Sequence, residues 1–425
     1  MLSELSVKGK TIDLIVIGAG PAGLMAAISA ASRGARVLIL EGEASSGKKL
    51  LVTGGGHCNI TNRAVSERDF YSDDPRTVRN VLRALPVSKT VDFFREWGLS
   101  LMTEEDGKMF PRDRKAASVL GTLLGAARER KVNLLTRSEV LALHCRHGIF
   151  STEGKGFSFS SKAVIVATGG LSYPATGSRG AGYKIAESFG HSIVAPSPAL
   201  VPFETADADW RGLAGITLET ALGLFRRGQW FAESRGPLLF THQGFSGPAV
   251  MNLASPWARF GGQGALTICA NFLPQISEKS LRERLREKTV AKPAMTIKKF
   301  LSHDIPERLA GVLLRKADIV SEKQLANFSK KERELLFRMV RSCVLPVKGP
   351  LGYDRAEVTA GGIPLKEVNP KTLESNIAPG LFFAGEVLDV DGRIGGFNLQ
   401  WAWSSGYVAG CVAAKKLGQP IRSRL

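Results

Sequence analysis

Two kinds of hydrophobic pattern alternate along this chain. Near its start, apolar runs at residues 12–17 and 36–40 are strand-length and lack polar alternation, which predicts parallel strands buried on both faces. The small residues between them predict a helix. Gly18, Gly20 and Gly23 stand at G-x-G-x-x-G spacing where the first strand meets that helix, completing a βαβ unit. Gly18 permits the tight turn, Gly20 lets backbone approach a pyrophosphate, and Gly23 lets helix and sheet pack closely. With Ala19, Pro21 and Ala22 these glycines form a turn that aims a helix N-terminus at phosphate. Glu41 closes the second strand 23 residues after Gly18, where a carboxylate accepts hydrogen bonds from both hydroxyls of an adenosine ribose and repels a 2'-phosphate. Asp13 is the only charge between Thr11 and Ser32, yet the glycines and the acid-terminated second strand argue against a membrane span or signal sequence.

Helical spacing dominates residues 74–131, with a β-type excursion and Pro111 restarting the chain before an amphipathic helix, and strands are expected near 133–136 and 140–144. Residues 162–170 read as a buried strand whose end, Ala167, Thr168 and Gly169, brings backbone to a dinucleotide. From about residue 192 the pattern becomes short alternating strands up to 270, then charged helices over 272–341. The first style returns from 345. A strand ends at Phe383, Gly385 and Glu386 follow, and Gly395 and Gly396 open a helix that begins Phe397, Asn398, Leu399. Trp401 and Trp403 on that helix read as packing residues.

Length and composition, 425 residues with 44% hydrophobic, fit a globular protein of two or three domains. The five cysteines are odd in number and form no C-x-x-C, which suits a reducing cytoplasm. His144, Cys145 and His147 follow strand alternation, so no metal site is expected. Charge changes the picture more. The chain carries 57 Lys and Arg against 39 Asp and Glu, a net +18, and residues 278–341 hold 17 against 9, a net +8. That concentration points to a polyanionic partner, nucleic acid before membrane, against a solvated basic surface. Lys330, Lys331, Arg333, Arg338 and Arg341 are the cations expected to share one helical face.

Residues 43–62 form a loop too glycine-rich for packing alone: Gly54, Gly55 and Gly56 let backbone lie against a flat ring or a phosphate, and Lys48 and Lys49 add positive charge. GKKLLVTGGGHCNITN at 47–62 resembles the flavin loop of the BaiN/YhiN-like family of FAD-dependent flavoproteins, within the broad glutathione-reductase/fumarate-reductase-like superfamily. The segments FPRDRKAASVL, SYPATGSRGAGY, THQGFSGPAVMN and residues 381–410 extend the resemblance to nearly the whole chain. It departs at His57, where the commoner family form has Arg.

The resemblance implies an α/β fold with a discontinuous Rossmann-like FAD-binding domain, 1–192 and 344–425, interrupted by a β-rich domain, 193–271, and a basic helical subdomain, 272–343. It places the glycine loop with Asn59 along FAD near the isoalloxazine, and the helix opened by Gly396 at the pyrimidine edge of the flavin, where its dipole favours an anionic reduced ring. No His or Cys stands at an attachment motif, so FAD is expected to bind non-covalently. No second glycine-rich βαβ unit appears, so NAD(P)H is expected only as a transient electron donor. The implied activity is reduction of a conjugated carbon–carbon double bond, in a bile-acid alkene or in a uridine of large-subunit (23S) ribosomal RNA, and the basic insertion favours RNA. The alternatives are a flavin-dependent oxidase or reductase of a small aminoketone or enone, and a non-catalytic RNA-binding flavoprotein. Cys58, in the glycine loop, and His242, in a turn where Ser246 is expected to cap a helix begun by Gly247 and Pro248, are the candidate proton donors.

Overall fold

The computed structural model describes residues 12–260 and 266–418. The chain divides into two compact units, Met1–Ser197 with Glu357–Leu425, and Pro198–Ala356. The second unit starts and ends later than the expected limits of 193 and 343, and it holds both the strand-rich and the helical stretch.

In the first unit, five described strands run parallel in the order Asn133–Leu135, Val37–Leu40, Ile12–Ile17, Phe157–Val166, Leu381–Phe383. The early part of Phe157–Val166 also pairs antiparallel with Ile149–Gly154, which pairs in turn with Val140–Arg146. Unbroken apolar runs were needed because both faces are covered: Leu14, Val16, Ile39 and Ile165 enter one core, while Ile15, Ile17, Leu40 and Val166 enter the other. Burying each such side chain contributes about 1.5–3 kcal/mol. The one charge in the first strand, Asp13, is 4% exposed. It accepts the Arg36 backbone N–H at 3.0 Å and the Arg36 guanidinium at 2.9 Å, which fixes the start of the second strand against the first. That guanidinium also holds the Asp13 carboxyl below the usual range.

Helix Pro21–Ala31 follows the first strand and lies against the last described helix, Phe397–Lys416. Their approach depends on two glycines spaced four residues apart on one face. A Cβ on Gly406 would sit 2.3 Å from the Ala22 carbonyl oxygen, and one on Gly410 would sit 2.2 Å from that of Ala26. The last helix is therefore held close to the helix that begins at the glycine turn.

The second unit is built on an antiparallel sheet in the order Cys343–Leu345, Leu266–Asn271, Thr217–Arg226, Gln229–Phe240, Gly244–Ser246, Phe203–Glu204, Gly349–Pro350. Its longest hairpin turns at Arg227 and Gly228, both at positive φ, as a two-residue turn between right-twisted strands requires. Trp210 stacks on Phe240 and Phe272 in the core beneath. Helices Glu278–Ala291, Ile297–Leu301, Glu307–Lys316 and Lys330–Arg341 carry the basic stretch. Among the described residues no helix is long and apolar enough to cross a membrane.

Candidate functional site

The glycine turn is built by exclusion. Gly18 adopts φ +104°, and a Cβ there would lie 2.6 Å from the Ala167 carbonyl oxygen; a Cβ on Gly23 would lie 2.0 Å from the Gly18 carbonyl oxygen. Gly20 differs: apart from its own chain neighbours, an added Cβ meets no atom of the described residues within 4 Å. The protein's own packing therefore gives no reason for glycine at 20, whereas a phosphate pressed against that backbone does. Gly20 is also the N-cap of Pro21–Ala31 and offers no side chain to the first helical N–H groups, leaving that end open to an anion. Glu41 is turned toward the same place. Its carboxylate accepts the Ala19 N–H at 2.7 Å and the Glu43 N–H at 2.9 Å, so it sits at the mouth of the turn.

The loop that follows is tied to this turn through Gly47, whose N–H donates to the Ala19 carbonyl at 3.1 Å. Short helix Lys48–Val52 and the glycine run come next, with Gly54, Gly55 and Gly56 at φ +56°, +65° and +88° and nothing within 4 Å of a Cβ on Gly55. The two lysines expected to bring loose positive charge are engaged: Lys48 pairs with Glu43 at 2.6 Å and Lys49 with Glu386 at 2.5 Å. His57, the departure from the family form, bonds the Arg114 carbonyl through Nδ1 at 2.9 Å and so anchors the loop.

The loop leads to the start of the last helix. Gly396 is its N-cap, and a Cβ there would lie 2.5 Å from the Thr61 carbonyl and 2.8 Å from Asn59. With its amide oriented to match its neighbours, Asn59 accepts the Gly396 N–H at 3.0 Å. Asn398 closes the preceding turn by bonding both the N–H and the carbonyl of Gly392 at 2.8 Å. Phe397 is fully buried, leaving its backbone as the part that can face a ligand, while Leu399 packs partly against the core. Trp401 and Trp403 are buried as expected, and each indole N–H supports a site loop, donating to Gly385 O at 3.1 Å and Ile60 O at 2.9 Å. Gly385 packs on the first helix, with a Cβ 2.7 Å from that of Ala22. Ala167 continues the sheet by donating to Ile17 O, and Gly169 turns at φ +74°. Between them, the Thr168 hydroxyl oxygen is buried without a hydrogen-bond partner among the described residues.

These observations fit a dinucleotide: an open Gly20, an uncapped helix N-terminus, an acid at the mouth of the turn, a Thr168 hydroxyl without a partner among the described residues and a second glycine-opened helix belong to one unit. The two expected proton donors are placed differently. Cys58 is fully buried among apolar residues at φ +56°, and burial pushes its thiol up to about 12. His242 is exposed in the second unit, where its carbonyl accepts from Arg211 Nε at 2.8 Å. Ser246 does not cap a helix. It ends strand Gly244–Ser246, and Gly247, at φ +89°, is the N-cap of the four-residue helix Pro248–Met251, because the strand needs Ser246 extended.

Sequence reasoning missed a cluster on four separate segments. Lys49 Nζ lies 2.5 Å from both Glu386 Oε2 and Ser172 Oγ. Glu386 Oε1 accepts from Ser172 Oγ and the Thr359 N–H, each at 3.0 Å. Ser172 Oγ also lies 3.3 Å from the carbonyl of Glu357, whose carboxyl is pushed up by burial against the opposing field of Lys49.

A Rossmann sheet with this site defines a dinucleotide-binding enzyme class, and comparison identifies which one. Residues 12–412 match the model of the HI0933-like protein Rossmann domain, and the chain belongs to that family. It is an FAD-dependent oxidoreductase. It is similar to a 3-dehydro-bile acid delta(4,6)-reductase of Clostridium scindens, 35% identical over 94% of this chain and 98% of the relative. Ribosomal RNA dihydrouridine synthases of Escherichia coli and Haemophilus influenzae are each 33% identical, over 95% and 92% of this chain and 98% and 96% of their own lengths.

Proposed function

We propose that this enzyme reduces a conjugated carbon–carbon double bond, and that its substrate is a uridine of large-subunit ribosomal RNA, converted to dihydrouridine. The observation that carries the RNA reading is the exposed set Lys330, Lys331 and Arg338 on one helix, without an ion-pair partner among the described residues, in a chain of net charge +18. Gly18, Ala19, Gly20 and the N–H groups at the start of the first helix hold the pyrophosphate of FAD, and Glu41 holds the adenosine ribose. Gly54–Gly56, Asn59 and the N-terminus of the last helix hold the ring system, non-covalently. When bound, the flavin supplies the electron pair for the reduction. The chain supplies position, electrostatics and a proton. NAD(P)H serves as a transient donor, and the enzyme works in the cytoplasm where ribosomes are assembled.

A small-molecule reading is favoured by one observation, the 35% identity to the bile acid reductase. Anaerobic mixing of photoreduced enzyme with unmodified 23S ribosomal RNA transcript, and separately with a steroid dienone, decides between them. The proposal expects reoxidation of the flavin by the transcript; reoxidation by the steroid alone would replace the RNA substrate with a small one.

A further inference from the structure

The antiparallel sheet of the second unit buries one face and leaves part of the other open. Leu222, Leu224, Ile268 and Ala270 point inward and are fully buried. The positions between them point outward. Gly223 pairs with Cys269, Cys269 with Val344, and Phe225 with Trp230, so these residues share the opposite face. Trp230 is 63% exposed there and Val344 58%. A bulge after Leu224 shapes the corner: Leu224 pairs with Ala232 and Phe225 with Trp230, which makes Phe231 the extra residue. Phe231 meets Phe260 edge-on, ring centroids 4.6 Å apart, whereas the Trp230 indole is left largely in water.

Two features shape this corner for a flat, negatively charged partner. The first is Gly223. A Cβ there would lie 2.9 Å from Phe225 Cε2, so glycine lets the Phe225 ring lie along the sheet surface. The second is charge. Residues 225–235 hold Arg226, Arg227 and Arg235 against a single acid, Glu233, which pairs with Arg235 at 2.6 Å. Arg227 is exposed in the hairpin turn, and Arg226 stands opposite Gln229, next to the Phe225–Trp230 pair. The basic helix Lys330–Arg341 packs on strands Leu266–Asn271 and Cys343–Leu345 of the same sheet. A membrane surface supplies anions but no flat rings, and a duplex keeps its bases stacked inside. A single RNA strand offers an unstacked base and a phosphate within one nucleotide.

We propose that Trp230, with Phe225 beside it, is a stacking platform for an unpaired base of single-stranded RNA, and that Arg226 and Arg227 at the hairpin tip meet the adjoining phosphates. This inference rests on the RNA reading above and adds to it the form of RNA recognised. The contact reads an unstacked base by its π face and tolerates any sequence, since every base has such a face. Trp230 and Phe225 belong to the second unit, whereas the residues assigned to the cofactor belong to the first.

The test uses full-length FAD-loaded protein: wild type, Trp230→Ala, Trp230→Phe, and the triple reversal of Lys330, Lys331 and Arg338 to Glu. Affinity for a labelled single-stranded oligouridine, and for duplex RNA of the same length, is measured by fluorescence anisotropy over a range of salt. Trp230→Ala is expected to weaken single-strand binding about 5- to 100-fold, the usual worth of one stacked base, with Trp230→Phe recovering part of it. Its duplex binding and its slope of log affinity against log salt should not change, because stacking releases no counterions. Melting temperature and flavin content should match wild type, since the side chain is exposed. The difference between wild-type and Trp230→Phe emission isolates the Trp230 indole, and oligouridine should quench it. A Trp230→Ala variant that binds the single strand like wild type, or an unquenched indole, overturns the platform alone, provided the triple reversal still weakens binding. An equal loss on duplex with a lower salt slope overturns stacking and leaves a phosphate contact. Self-association of wild type that Trp230→Ala abolishes, seen by sedimentation, gives the face to a second copy of this chain instead. Wild type that binds neither RNA overturns the RNA reading together with this one.

Discussion

At the scale of single residues, the three glycines of the first turn make different demands, and substitution separates them. Gly23→Ala places a Cβ 2.0 Å from the Gly18 carbonyl, so the turn itself must shift, and both apoprotein stability and FAD binding should fall. Gly20→Ala finds open space in the protein. Its apoprotein should melt within a degree or two of wild type while FAD affinity, followed by fluorescence titration, drops at least tenfold; retained affinity would remove the pyrophosphate from Gly20. Glu41→Lys should weaken FAD binding as well, since it places a cation where the carboxylate now accepts the Ala19 N–H. Glu357 supplies a pH signature. Its folded-state pKa is raised, so the stability it contributes is full below its unfolded-state value and is lost as pH rises through the folded one. Melting temperatures of cofactor-free protein should therefore fall with rising pH in wild type relative to Glu357→Gln, and parallel curves would contradict a raised carboxyl at Glu357.

At the scale of elements, the parts readable from sequence were those whose physical requirement is local. The first βαβ unit was legible because its strands need unbroken apolar runs and its turn needs glycines at fixed spacing; the last helix was legible because Gly395 and Gly396 mark its start. The Lys49–Ser172–Glu357–Glu386 cluster was not, since its members lie 123 and 337 residues apart across the Lys49 contacts and no spacing rule links them. Ser246 misled for the opposite reason: a serine before Gly-Pro looks like an N-cap, but pairing with Leu239 keeps it in a strand. Gly406 and Gly410 carried no signal either, because their need arises only where two helices meet. Gly406→Ala and Gly410→Ala should each destabilise the protein by about 1–3 kcal/mol, the usual cost of overpacking, and reduce FAD occupancy by pushing the two helix N-termini apart. Differential scanning calorimetry and flavin absorbance per chain measure both effects; stable variants with full flavin would show that the helices are not closely coupled.

At the scale of the whole molecule, the charge seen in sequence is partly spent in pairing. Arg282 bonds Glu278 and Glu334, Arg284 bonds Asp304, Lys298 bonds Glu307, and Lys316 bonds Asp207 and Asp209. Arg333 and Arg341, two of the five cations expected to line one helical face, instead donate to the carbonyls of Phe328 and Ile276. Lys330, Lys331 and Arg338 remain exposed, and they are the ones expected to meet phosphate. Reversing all three to Glu should weaken RNA binding and lower the slope of log affinity against log salt by about 2 to 3, since each phosphate contact contributes about 0.7 to 0.9. FAD content should not change. An unaltered slope would assign these cations to a solvated face.

The central claim is chemical, that this enzyme reduces a uridine of large-subunit ribosomal RNA, and mass mapping of that RNA tests it most directly. Unmodified 23S transcript is incubated anaerobically with reduced holoenzyme, digested, and read fragment by fragment. The account predicts one fragment heavier by two hydrogens, placed on a single uridine, and absent when the cofactor is left oxidised. A map with no heavier fragment, obtained while the same enzyme reduces a steroid dienone, would contradict it.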